Sequence, residues 1–448
     1  MNHLMAPLVR LFVRWMPDAF AVALLLTFLT FALSVTVAGY PADAALAAWG
    51  DNFWNLLKFT NQIALTLLLG YAFANTPPVH RVLLAVASLA RTPAAAYRLA
   101  CVITGICALF SWGLSLIAAG IMARAIGESC RKQGIVVHYP LLVAAAFSGF
   151  AIWHQGLSSS IGLALATPGH FLEDQLGLIL ISDTLFTAWN IGLALSVLVS
   201  MPFLMAALHP REPDEIEPIP EALVESDDPV ERGAFGGPAD SRTPARRFED
   251  SRIPTLLIVA GGGAFMVMHF FVRDRGLDLN TLNLGFLWLG MLLAGSPIRY
   301  VRIIVDGGRI AVPFLLQYPF YAGIAGLMAD SGLARMVVEL FVSISSAESL
   351  PLFGFLSGGL LNLFIPSGGG QWAVQGPIMM AAAQQLGADL PRVAMSVALG
   401  DQWTNLIQPL AIIPVLAIAG ISVREIMGYT FVALLWSGMI FSLALILF

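Results

Sequence analysis

The hydrophobic positions of this chain fall into long unbroken blocks rather than helical stripes or alternating strands, and the blocks are of two kinds. Plain runs cover 19–40, 54–75, 185–207, 253–272, 281–297, 310–329 and 427–447, each near the ~20 residues needed to cross a bilayer as a helix. Two further runs, 140–168 and 391–420, are interrupted midway by polar residues and predict broken helices. Residues 95–127 and 351–386 are apolar on both sides of a polar tip and predict re-entrant helical hairpins. Each hairpin follows an amphipathic stretch, Val79–Arg91 or Leu333–Ser345, of the kind that lies along a membrane interface.

The pattern occurs twice, about 250 residues apart. Leu109-Phe110-Ser111-Trp112-Gly113-Leu114-Ser115 corresponds to Leu363-Phe364-Ile365-Pro366-Ser367-Gly368-Gly369. Pro140…Gly149 through Trp153 corresponds to Pro391…Gly400 through Trp403. Each repeat crosses the membrane an even number of times, so the connecting helix 253–272 inverts the second. The predicted fold is therefore an all-α polytopic membrane protein with two inverted-topology repeats, each holding a re-entrant hairpin and a broken helix. The first repeat is 1–207 and the second 273–448. Paired broken segments at matching positions point to the binding site of a secondary transporter.

Composition agrees: 58% of residues are hydrophobic and only 11% charged, whereas a soluble domain is nearer a quarter charged. Lysine and arginine set the orientation. With the N-terminus cytoplasmic, 18 fall on the inner side and five on the outer, as the positive-inside rule requires. The C-terminus is then periplasmic, in a bacterial inner membrane. Arg10 and Arg14 before the first run imitate a signal peptide, but the run is long enough to span and belongs to the first repeat. Residues 208–252 hold 12 acids, six arginines and seven prolines, a composition that predicts a disordered or loosely packed cytoplasmic linker. No G-x-x-x-x-G-K-[ST] motif is present, so no built-in ATP motor is expected. Nothing suggests nucleic-acid binding, and Cys101, Cys107 and Cys130 form no C-x-x-C pair.

The chemistry concentrates at the interruptions. In Pro366-Ser367-Gly368-Gly369-Gly370-Gln371-Trp372, proline and glycines end one helix and the next begins at once. Its first N–H groups lack intrahelical partners and sit at the positive end of the helix dipole, which makes an anion cup without a charged side chain. Ser367, Gly368, Gly369, Gly370 and Gln371 are the expected carboxylate ligands, with Ser111 and Ser115 of the first tip assisting. Trp372 and Trp403 are expected to rest against the acyl tail. Asp401, in the second broken helix, is either a cap for the half-helix that follows or a coupling-ion residue, since intramembrane acids are costly unless paired or titrating. Thr404 and Asn405, with Ser158 and Ser159 opposite, supply further oxygens. His154 is either a proton site or a hydrogen-bonded spacer. No arginine stands at either tip, which favours a singly charged substrate.

These residues resemble the short-chain fatty acid transporter family of AtoE type over nearly the whole chain. The resemblance rests on Trp49-Gly50-Asp51-Asn52-Phe53-Trp54-Asn55-Leu56-Leu57, on Pro366 through Trp372 with Gln375-Gly376-Pro377, and on Gly400-Asp401-Gln402-Trp403 with Gln408-Pro409. Ala166-Thr167-Pro168-Gly169 and Ser182 through Phe186 add to it. The chain departs from the family pattern at Ser111 and at His154-Gln155. The resemblance implies a carrier of monocarboxylates such as acetoacetate, butyrate or acetate. Similarity to the wider ion-transporter superfamily implies a homodimer whose scaffold supports a mobile transport domain.

The expectation is a symporter of a short-chain carboxylate, coupled to H⁺ or Na⁺ and working by alternating access, with no cofactor. A carrier of another organic anion such as a dicarboxylate, a channel, and an intramembrane enzyme are the rivals. The last lacks any nucleophile–base pair or metal cluster in the sequence.

Overall fold

The computed structural model describes residues 7, 14, 17, 19–167, 170, 172–224, 243–273, 275 and 279–447. Among them all regular secondary structure is helical, without strands. In order come α1 (Ala19–Thr36), α2 (Ala42–Asn52), α3 (Leu57–Ala74), α4 (Pro77–Ala87), α5 (Pro93–Phe110), α6 (Trp112–Lys132), α7 (Tyr139–Ser148), α8 (Ser160–Leu165) and α9 (Ala188–Ala207). After the linker follow α10 (Arg252–Val267), α11 (Leu279–Ala294), α12 (Pro297–Asp330), α13 (Leu333–Ser343), α14 (Leu350–Asn362), α15 (Gly368–Leu386), α16 (Leu390–Thr404), α17 (Pro409–Ala419) and α18 (Val423–Leu447). Six of the described helices or continuous helical stretches are long and apolar enough to cross a membrane, seven if the bent pair α16–α17 counts as one span. Large apolar side chains such as Leu257, Phe271, Val199 and Phe203 stand on the outer surface, where only hydrocarbon accommodates so much exposed apolar area.

The breaks fall where the polar interruptions stand, and three of the four helices that restart there are capped by a side chain. Ser111 alone separates α5 from α6, its backbone extended at φ −158°. Ser367 caps α15 through its hydroxyl, which accepts from Gly370 N. After α7 a 3-10 segment, Gly149–Gln155, precedes the turn to α8, which Ser159 caps by accepting from Gly162 N. α16 and α17 meet at a 46° bend, and the Gln408 side chain accepts from Leu410 N at the start of α17.

Corresponding glycines make the same contact in both halves. Gly149 lies on Cys101 O and Gly105 N of α5, 2.6 and 2.5 Å from where its Cβ would be; Gly400 lies on Phe355 O and Gly359 N of α14. Each broken helix thus crosses the first arm of its hairpin backbone to backbone, which only glycine permits.

Two features differ from the sequence pattern. The 310–329 run is the later part of α12, 34 residues long. Gly307 does not break it, because it serves close approach: its Cβ would enter the Tyr71 ring. The Trp49–Leu57 motif includes the end of α2, which packs on α12, with Trp49 against Gly323 and Asn52 against Gly326.

Of the 208–252 linker, residues 225–242 lie outside the described residues, as do Pro168 and Gly169. Residues 208–224 are laid against the helix ends. Tyr139 N donates to Glu217 O (2.7 Å) and Glu217 N to His138 Nδ1 (3.0 Å). Ile219 is buried, and Leu223 packs on Gly420 while its carbonyl accepts from Arg124.

Candidate functional site

A cavity of about 360 Å³ opens where the hairpin tips meet the broken helices. The second tip lines it with Pro366, Ser367, Gly368, Gly369 and Gly370, and the second broken helix with Asp401 and Asn405. The first half contributes Trp112, Trp153 and Ser160. No arginine or lysine is among its lining residues.

The cup is built by the local sequence. Among the described residues neither the Gly368 nor the Gly369 N–H has a hydrogen-bond partner, whereas Gly370 N donates to Ser367 Oγ and Gln371 N to Ser367 O. Two donors at a helix start therefore remain free beside the cavity, where the dipole favours negative charge. Gly368 is pressed from behind: a Cβ there would be 2.8 Å from His154 Nε2 and 3.1 Å from Ser160 Oγ, whereas one on Gly369 would meet nothing within 4 Å. A bare first turn lets the first broken helix touch the second tip.

Asp401 and His154 form the electrostatic centre. Asp401 Oδ1 is 3.3 Å from His154 Nε2, and both side chains are buried. Asp401 Oδ2 has no hydrogen-bond partner. His154 Nδ1 lies 3.1 Å from Ser159 Oγ, and His154 N donates to Gln402 Oε1 (2.7 Å). Gln402 in turn donates to Gln155 Oε1 (3.2 Å), whose amide donates to Asn190 O. A hydrogen-bonded chain thus joins the two broken helices and holds the imidazole toward the carboxylate.

The other residues named from the sequence sit around this centre, and of them only Asn405 lines the cavity. Gln371 is buried and donates to Gly358 O and Gln375 Oε1. Thr404 Oγ1 and Asn405 Oδ1 both accept from Asn362 Nδ2 at 2.9 Å. Ser158 Oγ accepts from Trp112 N, and Ser115 Oγ donates to Thr104 O, so both are spent on the backbone of the first pair of helices. Ser111 is buried at the break. Trp372 is buried against Gly376. Trp403 packs tilted against Phe355, ring centres 4.7 Å apart, and donates to Leu434 O. The indoles at the cavity are instead Trp112 and Trp153, 6.4 Å apart. Asn362 and Asn190 were not singled out in the sequence, and Gln155 and Gln402 were named there only within motifs, with no bonding role; their signal is an amide within or beside an apolar helix.

A family model described as "Short chain fatty acid transporter" matches residues 1–448. A relative from Escherichia coli (strain K12), named "Putative short-chain fatty acid transporter", is 40% identical over 435 residues, covering 97% of each chain. One of the same name from Haemophilus influenzae is 35% identical over 439 residues, covering 96% of each. Among solved structures, the Alcanivorax borkumensis YdaH transporter aligns with a TM-score of 0.47 at 13% identity, over 96% of this chain and 97% of that one.

Proposed function

This chain belongs to the short-chain fatty acid transporter family, and we propose that it is a symporter that carries one short-chain monocarboxylate, such as acetoacetate, butyrate or acetate, with one proton. The reading rests on one observation above all: the uncapped N–H groups of Gly368 and Gly369 and Asp401, which is paired with buried His154, border a single cavity lined by no arginine or lysine.

Charge balance supplies the coupling. With one proton between them, His154 and Asp401 are together neutral. A carboxylate entering beside them adds a negative charge that no lysine or arginine offsets, and an uncompensated buried charge costs several kcal/mol. A second proton on the pair restores neutrality, so anion and proton enter and leave together. Asn362 argues for a proton over sodium, because its amide hydrogens occupy the space between Thr404 Oγ1 and Asn405 Oδ1 that a cation would need. A dicarboxylate would bring two negative charges to a cup of two backbone donors.

In this reading the hairpins and broken helices form the mobile unit, α1–α3 and α10–α12 the scaffold of a homodimer in a bacterial inner membrane, and access alternates around inverted repeats. The test is uptake of labelled butyrate into proteoliposomes under imposed proton or sodium gradients. Accumulation driven by a proton gradient is expected. Saturable uptake of succinate without butyrate would overturn the substrate, and accumulation driven by sodium alone would overturn the coupling.

A further inference from the structure

A second, smaller chamber of about 50 Å³ adjoins the cup on its other side. Leu56, Tyr318, Pro366, Ser367, Gly370 and Leu410 border both spaces, so the two meet across the tip. What the chamber adds is apolar: Ala325 and the ring of Tyr321 on α12, and Ile365 just before the tip. A ligand held by the Gly368 and Gly369 N–H groups therefore has a greasy recess within reach of its tail. On the measure by which one water takes roughly 10–15 Å³, the chamber has room for about three groups the size of a methyl. That is the length of a butyrate tail.

We propose that this chamber is the acyl subsite, and that Ala325 sets the length of chain the carrier accepts; the proposal rests on the carboxylate reading of the cup. Ala325 has the smallest side chain in the chamber apart from Gly370, which belongs to the cup itself. Its helical neighbours are already committed, Gly323 to Trp49 and Gly326 to Asn52, which leaves Ala325 as the position where bulk on α12 enters the recess. It lies on a different element from the cup and from the His154–Asp401 pair, so a change there acts first on the tail space.

The chamber also explains why a short acid would bind better than formate-sized anions. Each methylene taken out of water adds roughly fourfold to affinity, and the gain ends when the recess is full. Tyr318 and Leu56 wall both spaces, so a longer tail would have to turn back into the main cavity.

The experiment is counterflow in proteoliposomes of the full chain, with labelled acetate as probe and unlabelled linear acids of two to six carbons as competitors. For the wild type, apparent affinity should climb about fourfold per added carbon to four carbons and then level off or fall. Ala325→Leu should flatten that climb, weakening butyrate by about tenfold or more relative to acetate. Ala325→Gly should shift the plateau to a longer acid. If Ala325→Leu abolishes transport altogether, the Ala325→Gly profile decides alone. An identical length profile in the wild type and the variants would overturn the subsite and leave the carrier reading standing. A wild type that exchanges none of these acids would overturn the carrier reading itself.

Discussion

His154 Nε2 stands 3.3 Å from Asp401 Oδ1, with both side chains withdrawn from solvent and one carboxylate oxygen left without a partner. The two come from different halves of the chain, so the contact ties the broken helices together at the cavity. Removing one partner leaves the other buried alone, which costs about 3–5 kcal/mol. His154→Ala is therefore expected to destabilise the protein strongly, as a lowered unfolding temperature in detergent. Asp401→Asn keeps a polar group of the same shape and should destabilise less. It should also separate binding from coupling: counterflow of butyrate persists, while accumulation under a proton gradient is lost. Full gradient-driven accumulation by Asp401→Asn would reduce Asp401 to a structural role.

Gly368 and Gly369 are adjacent, yet alanine at each should behave differently. At Gly368 the new methyl meets the imidazole and the Ser160 hydroxyl at 2.8–3.1 Å. The imidazole cannot retreat without disturbing the Asp401 contact, and overpacking of this kind costs about 1–3 kcal/mol. Transport should fall by about tenfold or more, with a matching loss of stability. At Gly369 the methyl enters open cavity, so the fold should be unaffected and only substrate affinity should drop. Melting curves beside butyrate affinities test the contrast, and equal stability losses at both positions would count against it.

Where the chain breaks was legible in the sequence, because proline, glycine and serine act locally. The helix start at Ser367–Gly370 and the interruptions after Gln155 and Thr404 follow from residues within a few positions of the break. Which side chains are spent on structure was not legible, because their partners are distant in sequence. Thr404 and Asn405 read as free oxygens until Asn362, more than forty residues earlier, is seen to occupy them. Trp403 looked equivalent to Trp153, yet it is held by Leu434 O while Trp153 borders the cavity. The docked stretch 208–224 is acidic and proline-rich, and nothing local reveals that His138 and Tyr139 supply its pairing.

The glycines of the two helix crossings offer a test of the repeat. Alanine at Gly149 or Gly400 would put a methyl into the backbone of α5 or α14. Backbone cannot rotate away as a side chain can, so each substitution should cost at least about 1–3 kcal/mol. Gly192 in α9 is the control, since a Cβ there meets nothing within 4 Å. Gly192→Ala should be neutral or stabilising by up to about 1 kcal/mol through helix propensity. Thermal unfolding of the three variants checks the ranking. A repeat read correctly demands that Gly149→Ala and Gly400→Ala fall together.

His138 makes the docking of residues 208–224 dependent on pH. Its Nδ1 accepts from Glu217 N and its Nε2 contacts Tyr429 Oη at 2.9 Å, while Tyr97 Oη accepts from His138 N and contacts His209 Nδ1. Only an imidazole with an unprotonated Nδ1 can accept the Glu217 bond. Burial, helped by neighbouring His209, lowers the His138 pKa from 6.5 to about 4. Once the segment is released the imidazole moves back toward its ordinary value, so the released form binds more protons between these limits. Docking is then complete above about pH 6.5, weakens as pH falls toward 4, and loses nothing further below that. Amide hydrogen exchange across 208–224, corrected for intrinsic rates, should be faster at pH 5 than at pH 7.5. His138→Gln, whose side-chain oxygen can accept from Glu217 N without titrating, should flatten the difference. Equal protection at both pH values in the wild type would remove His138 from control of this segment.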